Sequence, residues 1–496
     1  MTVLNCDILR LILRPPDWRA NRNESLLSLG TWECKYCGHL NSKTMLHCKS
    51  CWTAIYRDDA EIVARKGFIK SEVKVKRVTY SVLLLLLGWF IALWVWSNVV
   101  HQTTFADIPA SMISSVSGPG EWAVFQHNLQ HTGTVEGVAF SFPQDVEWRF
   151  DTERPIETVP VVVGEKLFVS TGDRGILALD ANNGDALWNY YVEGPVSSTP
   201  AVADDRVFVG LRNSEFIAID ASNGKLIWTF DTDNIITASP VVDRGVVYIG
   251  SGDKNLYALD AITGQERWRS HLYGWISASP TIVEEVVIVP STDRKLFFLD
   301  RSSGKLRQAY AGIATSSPVA SPIWGDDVIF ADGSGVLRSI DWRLEEYPFE
   351  KSIFKWKANA YLWKIRKDAP IQKGYNWGYR IPRVENLPRG RFIGAPAVSD
   401  GIVFVGDTNG KLHTFRVEDG IAGWSYESKS AIEASVIVVG DVVLFGCRDG
   451  KLYGLSKESG ELVWQFDIGE PIATGPIFAN DMLYVTSKSG SIYALN

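Results

Sequence analysis

Residues 236–270 read ITASPVVDRGVVYIGSGDKNLYALDAITGQERWRS, and four short strands can be drawn in them. A short apolar strand lies around Ser239–Val242, and an alternating one, Val246–Gly250, follows a turn. The turn Ser251-Gly252-Asp253-Lys254-Asn255 leads into Leu256–Asp260, and Ala261–Gly264 turns into a last strand ending near Trp268. Gly, Asp and Asn at the connections and β-branched or aromatic residues between them are what antiparallel hairpins require.

The unit repeats. Prolines stand forty apart at Pro160, Pro200, Pro240 and Pro280, and tryptophans keep the same period at Trp148, Trp188, Trp228 and Trp268. Further units start at Pro318, Pro396, Val436 (in place of Pro) and Pro476, which makes eight. A four-stranded sheet has two faces to cover, so units of this length stack radially, and closing the ring removes exposed ends. The last unit stops at Ser491-Ile492-Tyr493-Ala494-Leu495-Asn496 without a fourth strand, while an unpartnered strand, Val146-Glu147-Trp148-Arg149-Phe150, precedes the first. That strand is expected to complete the last unit. The expected fold is all-β: an eight-bladed β-propeller of four-stranded antiparallel blades, preceded by a single transmembrane helix and a small zinc finger. Seven blades or an open solenoid are the alternatives.

The motif LYALDAITGQERW resembles the repeat of the pyrroloquinoline-quinone (PQQ) propellers over residues 146–496. The preamble from Glu121 through His127 to His131-Thr132-Gly133 resembles that family's lead-in, which favours a structural role for the two histidines over a metal site. The resemblance implies that each repeated Trp packs onto the next blade; Gln308 breaks the pattern, and Arg416, Ser456 and Asn496 replace the usual Asp. Family dehydrogenases hold the quinone on the ring axis, commonly under a vicinal disulfide and beside a calcium. No Cys-Cys pair exists here and no carboxylate cluster stands outside the repeat turns, so PQQ is not an expected cofactor and the chain is not expected to be an enzyme.

Upstream the composition changes. Residues 1–78 hold 14 Lys+Arg against 8 Asp+Glu, a charge of +6, so the remainder of a chain with net charge −7 carries −13. Five of six cysteines lie in the first 51 residues; Cys447, in the alternating run DVVLFGCRDG, is read as a packed thiol, and one cysteine allows no internal disulfide in the ring. Residues 79–100, TYSVLLLLLGWFIALWVWSNVV, contain no charge and are long enough to cross a hydrocarbon core of roughly 30 Å. Arg65, Lys66, Lys70, Lys74, Lys76 and Arg77 precede this run, and the next basic residue after it is Arg149. The bias puts the N-terminus in the cytoplasm and the propeller on the periplasmic or extracellular side of a plasma (inner) membrane. A buried helix would lack these flanks, and a signal peptide would be shorter and nearer the start.

The run WECKYCGHLNSKTMLHCKSC contains two Cys-x-x-Cys knuckles, Cys34/Cys37 and Cys48/Cys51, the spacing of a closed tetrahedral structural zinc site. With Trp32 and Asn41 it resembles the Ran-binding-protein-2 type finger, whose members bind single-stranded RNA or ubiquitin. Gly38-His39 stands where ubiquitin binders have Thr-Phe, and Lys43 is the only basic residue in the loop where RNA binders carry arginines. The ligand face expected from the resemblance is Trp32, Asn41 and Lys43, with RNA or protein both open. The expected domains are an unassigned segment 1–31, finger 32–53, basic segment 54–78, span 79–100, linker 101–120 and propeller 121–496, with an insertion at about 342–391.

That insertion carries 12 Lys+Arg and 5 Asp+Glu, locally +7 on an acidic body, and is rich in aromatics. The segment SIFKWKANA is expected to supply the blade's fourth strand, with Trp356 in the repeat position, leaving about 361–391 as a long loop. Trp363, Lys364, Arg366, Lys367, Lys373, Tyr375, Trp377, Tyr379 and Arg380 are the expected contact residues for a protein, an anionic polymer or a glycan at the rim. The whole reads as a membrane-anchored, non-catalytic binding scaffold. The alternatives are a quinoprotein dehydrogenase and an envelope protein-assembly factor.

Overall fold

The computed structural model describes residues 31–33, 40–42, 113, 117–118 and 120–496, apart from 153, 173–174, 312–320, 344–349, 366–371, 384–387 and 473. The chain divides into two compact units, Met1–Thr103 and Thr104–Asn496. In the first, Thr31–Glu33 pairs antiparallel with Leu40–Ser42, in the register Trp32↔Asn41 and Glu33↔Leu40. The four finger cysteines, Lys43, the basic segment 54–78 and the expected span 79–100 lie outside the described residues. Among the described residues, no helix is long and apolar enough to cross a membrane.

The second unit is the eight-bladed ring of four-stranded antiparallel sheets. In blade 3, strands A to D are Val241–Asp243, Val246–Gly250, Asn255–Asp260 and Glu266–His271. The A strands of neighbouring blades adjoin one another and therefore line the axis. Strands B and C are buried almost throughout, because both of their faces meet neighbouring blades. The D strand of blade 3 buries Trp268 while Arg267, Arg269 and Ser270 remain at least partly exposed, the alternation of a strand covered on one face. Each blade carries an irregularity between C and D, at Ala258/Leu259 in blade 3, and this adds local twist. As expected, Val146–Asp151 is strand D of blade 8, pairing with Ser491–Leu495 so that Trp148 faces Ala494. Cys447 is buried and free, and burial pushes its thiol up to about 12.

Tryptophan and glycine make the seam between blades. The Trp228 indole donates Nε1–H to the Ala261 carbonyl of the next blade at 3.2 Å, and its ring lies over Gly264. A Cβ at Gly264 would come within 2.7 Å of the indole, and φ there is +72°, so the position requires glycine on both counts. Trp268 does the same with Arg301 and Gly304. That seam also buries the Arg301 guanidinium on Asp243 and 3.3 Å from the Tyr248 hydroxyl.

The insertion in blade 5 departs from expectation. Glu350–Leu362, which includes all of SIFKWKANA, is an α-helix, and the fourth strand is Tyr375–Arg380, paired with Val336–Asp341. The repeat position belongs to Trp377, whose Nε1–H donates to Val417 O at 2.5 Å over Gly420, while Trp356 is 67% exposed. The physical reason lies in the periodicity. YNWGYR places Tyr375, Trp377 and Tyr379 two apart, whereas SIFKWKANAYL lacks strand alternation and contains the helix formers Lys and Ala.

Candidate functional site

The axis is occupied by the chain itself. An innermost strand leaves one edge of N–H and C=O groups unpaired, and residues 113–135 supply partners all round the ring. Trp122 exchanges backbone bonds with Val162 of blade 1, and Ala123, Leu129, Gln130, Thr132 and Gly133 accept from Val202, Ile282, Ile323, Val398 and Val438. Thr134–Val135 then pairs in parallel with blade 7. In blades 3 and 8 the A–B turns donate instead, Gly245 to Ile113 O and Asn480 to Gly120 O. The end of the expected linker 101–120 thus already belongs to the ring. Gln126, His127 and His131 take positive φ as the segment winds. His131 is fully buried with neither ring nitrogen bonded, and desolvation lowers its pKa to about 3; His127 is lowered to about 4, also chiefly by burial. These histidines are neutral packing groups of the lead-in. Among the described residues, no three His, Cys, Asp or Glu side chains converge as metal ligands. The lead-in's bonds to the inner strands fill this part of the axis with the chain itself.

Because strands alternate in direction, A–B and C–D turns share one end of the ring, while B–C turns and D–A connections share the other. The insertion joins C to D and belongs to the first end. Its helix has half-buried Phe354 and Ala358, buried Ala360 and exposed Ile353, Lys355, Trp356 and Lys357, and exposed Trp363 follows its last residue. Lys364 closes it in the left-handed conformation (φ +59°), with Lys364 N–H donating to Tyr361 O and Ile365 N–H to Ala360 O, a Schellman stop.

The expected contact residues separate. Trp363 and Lys364 are exposed at the helix end, and Arg380 is exposed on the strand. Trp377 is a seam residue; half-buried Tyr379 packs against His413 and Phe415, and half-buried Tyr375 packs against the blade 4–5 core. Lys373 lies beside that strand, half-buried, and Arg366 and Lys367 lie outside the described residues.

The opposite end carries exposed aromatics not anticipated from the repeat: Tyr191 between blades 1 and 2, and Tyr273 and Trp275 between blades 3 and 4. Near the axis at that end, Ser197 donates to Glu157 and Arg212 to Ser197, and Arg448 pairs with Glu433. The available signal was the segment Leu272-Tyr273-Gly274-Trp275, which puts two aromatics where the neighbouring unit has Thr232-Asp233-Asn234-Ile235.

Residues 138–235, 212–343 and 382–496 match the PQQ_2 family model, described as outer membrane protein assembly factor BamB. No curated protein matches the chain. Among solved structures, BamB from Moraxella catarrhalis is similar at TM-score 0.54 and 14% identity, covering 71% of this chain and 97% of its own. A europium-containing methanol dehydrogenase is similar at TM-score 0.61 and 14% identity, covering 76% of this chain and 98% of its own. For a quinohemoprotein alcohol dehydrogenase from Comamonas testosteroni the TM-score is 0.59, the identity 16%, and the coverage 76% and 80%. These likenesses establish the fold. They also correct the expectation that the chain is not an enzyme: two dehydrogenases share this ring over more of the chain than the assembly factor does. The missing Cys-Cys pair therefore does not exclude catalysis.

Proposed function

The chain belongs to the BamB-type PQQ-repeat propeller family, and on that premise we propose that it is a membrane-anchored scaffold whose ring binds a polypeptide partner outside the cytoplasm. The observation that supports this reading is the filled axis. With residues 122–135 bonded to the inner strands of six blades, the surfaces left for recognition at this level are the ends and rim of a rigid disc. Of the two ends, the one with Tyr191, Tyr273 and Trp275 offers rigid aromatic contact area beside the charged groups Arg212, Glu157, Arg448 and Glu433, a composition suited to a protein interface. The family model's description as an assembly factor favours a polypeptide over a glycan as the partner.

Two further parts belong to the same proposal. Residues 79–100 hold the ring at a plasma (inner) membrane, and Cys34, Cys37, Cys48 and Cys51 hold a structural zinc ion on the cytoplasmic side. The hairpin register Glu33↔Leu40 supports the finger, since it draws together the two ends of the segment that contains the first knuckle. The test is cross-linking and co-purification from native membranes, comparing the full chain with its Tyr273→Ser/Trp275→Ser variant. A polypeptide recovered with the first and lost with the second is the expected result. Equal recovery would move the partner site elsewhere, and recovery of none with either form would sink the scaffold reading.

A further inference from the structure

Along the connections from strand D into the next blade, one repeat position changes sign across the ring. Seven residues before each blade's entry residue it holds Glu153, Glu193 and Asp233 for blades 1 to 3, then Arg389 and Lys429 for blades 6 and 7. Strand D of blade 5 adds Arg380 as its last residue, where blades 2, 6, 7 and 8 end in Asp231, Glu427, Asp467 and Asp151. Glu193, Asp233 and Lys429 are exposed and Arg389 is half-buried, all at the end of the ring that carries Tyr273 and Trp275.

The cations of this sector differ from those at the other end in having no counter-charge. There, Arg206, Arg244, Arg343 and Lys457 are matched by carboxylates. Arg389, Arg391 and Lys429 make no ion pair among the described residues. The acids beside them are engaged elsewhere, Glu433 by Arg448 at 3.5 Å and Glu427 by Lys411 at 3.7 Å. The Arg389 Nε–H is buried without an acceptor, a donor that a bound carboxylate would satisfy. The backbone here is fixed. Arg391 N–H donates to Thr408 Oγ1 and Thr408 N–H to Arg391 O, both at 3.0 Å, and Phe392 is buried beside them. A Cβ on Gly390, between the two arginines, would come within 2.9 Å of the Asn409 side-chain nitrogen, so the connection lies close on the blade 6 turn. One blade on, the connection that carries Lys429 is held in the same way, by Arg448 N–H donating to Ala431 O at 3.2 Å.

Unpaired cations on two consecutive rigid connections select a ligand that brings several negative charges. The opposite sign at Glu193 and Asp233 narrows the choice. A uniform polyanion long enough to cross the face would meet carboxylates there, whereas a polypeptide can be acidic in one stretch only. We propose that Arg389, Arg391 and Lys429 form the docking site for an Asp/Glu-rich segment of the polypeptide partner, over the connections into blades 6 and 7. The inference rests on the reading of this end as a polypeptide-binding face, and it names the chemistry of what binds there.

The test titrates the full chain in detergent micelles, at low ionic strength, with a fluorescently labelled peptide of alternating Glu and Ser, read by anisotropy. A Gln–Ser peptide of the same length should bind about tenfold more weakly. Arg391→Glu/Lys429→Glu should remove most of that difference. Lys225→Glu/Lys305→Glu, the same change of net charge among exposed residues at the other end, should leave it. Equal binding of the two peptides, or the same loss from both double variants, would overturn the site. A labelled single-stranded oligonucleotide bound more tightly than the Glu–Ser peptide would assign the sector to nucleic acid and reject the polypeptide segment. Co-purification from native membranes keeps this failure apart from that of the scaffold reading. A partner recovered equally with the unaltered chain and with Arg391→Glu/Lys429→Glu, yet lost with Tyr273→Ser/Trp275→Ser, would leave the scaffold standing without its acidic segment. Recovery of no partner with any form would remove the scaffold and the inference with it.

Discussion

The seam between blades 3 and 4 and the seam between blades 4 and 5 solve one packing problem in two ways. At the first, Trp268 lies on Gly304 and donates to Arg301 O, the arrangement repeated round the ring. At the second, Gln308 stands in the tryptophan position, and Glu345 stands where blade 4 has Gly304, because the insertion begins in that turn. An indole from blade 4 would have no flat Cα to rest on. The aromatic comes from the other side instead: Trp342, in the position of Arg301, donates to Gly325 O at 2.9 Å and joins the buried cluster of Val283, Val286, Ile288 and Tyr310 with Ile323 and Phe330. A repeat can lose both halves of its clamp if the lost volume returns from the opposite blade, since close packing responds to volume and not to which strand supplies it.

The contrast can be broken or sharpened by experiment. Trp268→Ala should cost about 4 kcal/mol in chemical denaturation of the full chain, from lost burial and the cavity left behind. A second contrast separates the seams from the axis, because His131 and His127 make the axis acid-labile. Their folded pKa values, about 3 and about 4, lie below the ordinary 6.5, so the unfolded chain binds protons first as pH falls. Stability is full above pH 6.5 and declines below it, by on the order of 3 kcal/mol at pH 4 for each histidine, and His131→Leu should flatten that slope by removing one of the two contributions. Gly304→Ala should cost about 2 kcal/mol, as its Cβ would meet the Trp268 ring at 2.5 Å with φ at +67°. The smallest effect belongs to the irregular seam. The Gln308 side-chain oxygen is buried without a partner, so Gln308→Leu should be neutral or stabilising by up to about 1 kcal/mol. A large loss there would mean that Trp342 does not substitute for the clamp.

Much of the ring was legible because each blade spells the same rule: proline at entry, glycine in the turns, tryptophan on the outer strand. Closure by residues 146–151 followed from one strand too few at one end and one too many at the other. The insertion departs from expectation because the rule offers two tryptophans there. Trp356 matches the marker in residue type alone, whereas Tyr375, Trp377 and Tyr379 carry the two-residue spacing of a strand, and Trp377 lies nearer to Ile393, the next blade's entry. Aromatics between basic residues look alike whether they bind a ligand or a neighbouring blade; only burial separates Trp377 from Trp363. The aromatic end escaped notice for the converse reason, since Tyr273 and Trp275 fall between strands, where the repeat imposes no pattern.

Closure by strand 146–151 also has a consequence for biogenesis. Its partner, Ser491–Leu495, is synthesised some 340 residues later, so on a growing polypeptide the joining strand and the lead-in exist long before the edges they match. Vectorial synthesis lets early blades form in order, yet the first of them must wait with bare edges until the last arrives. Contacts this distant in sequence make folding slow, and unpaired edges invite pairing with other chains. Until the last blade closes the ring, its edges stay open to association with other chains.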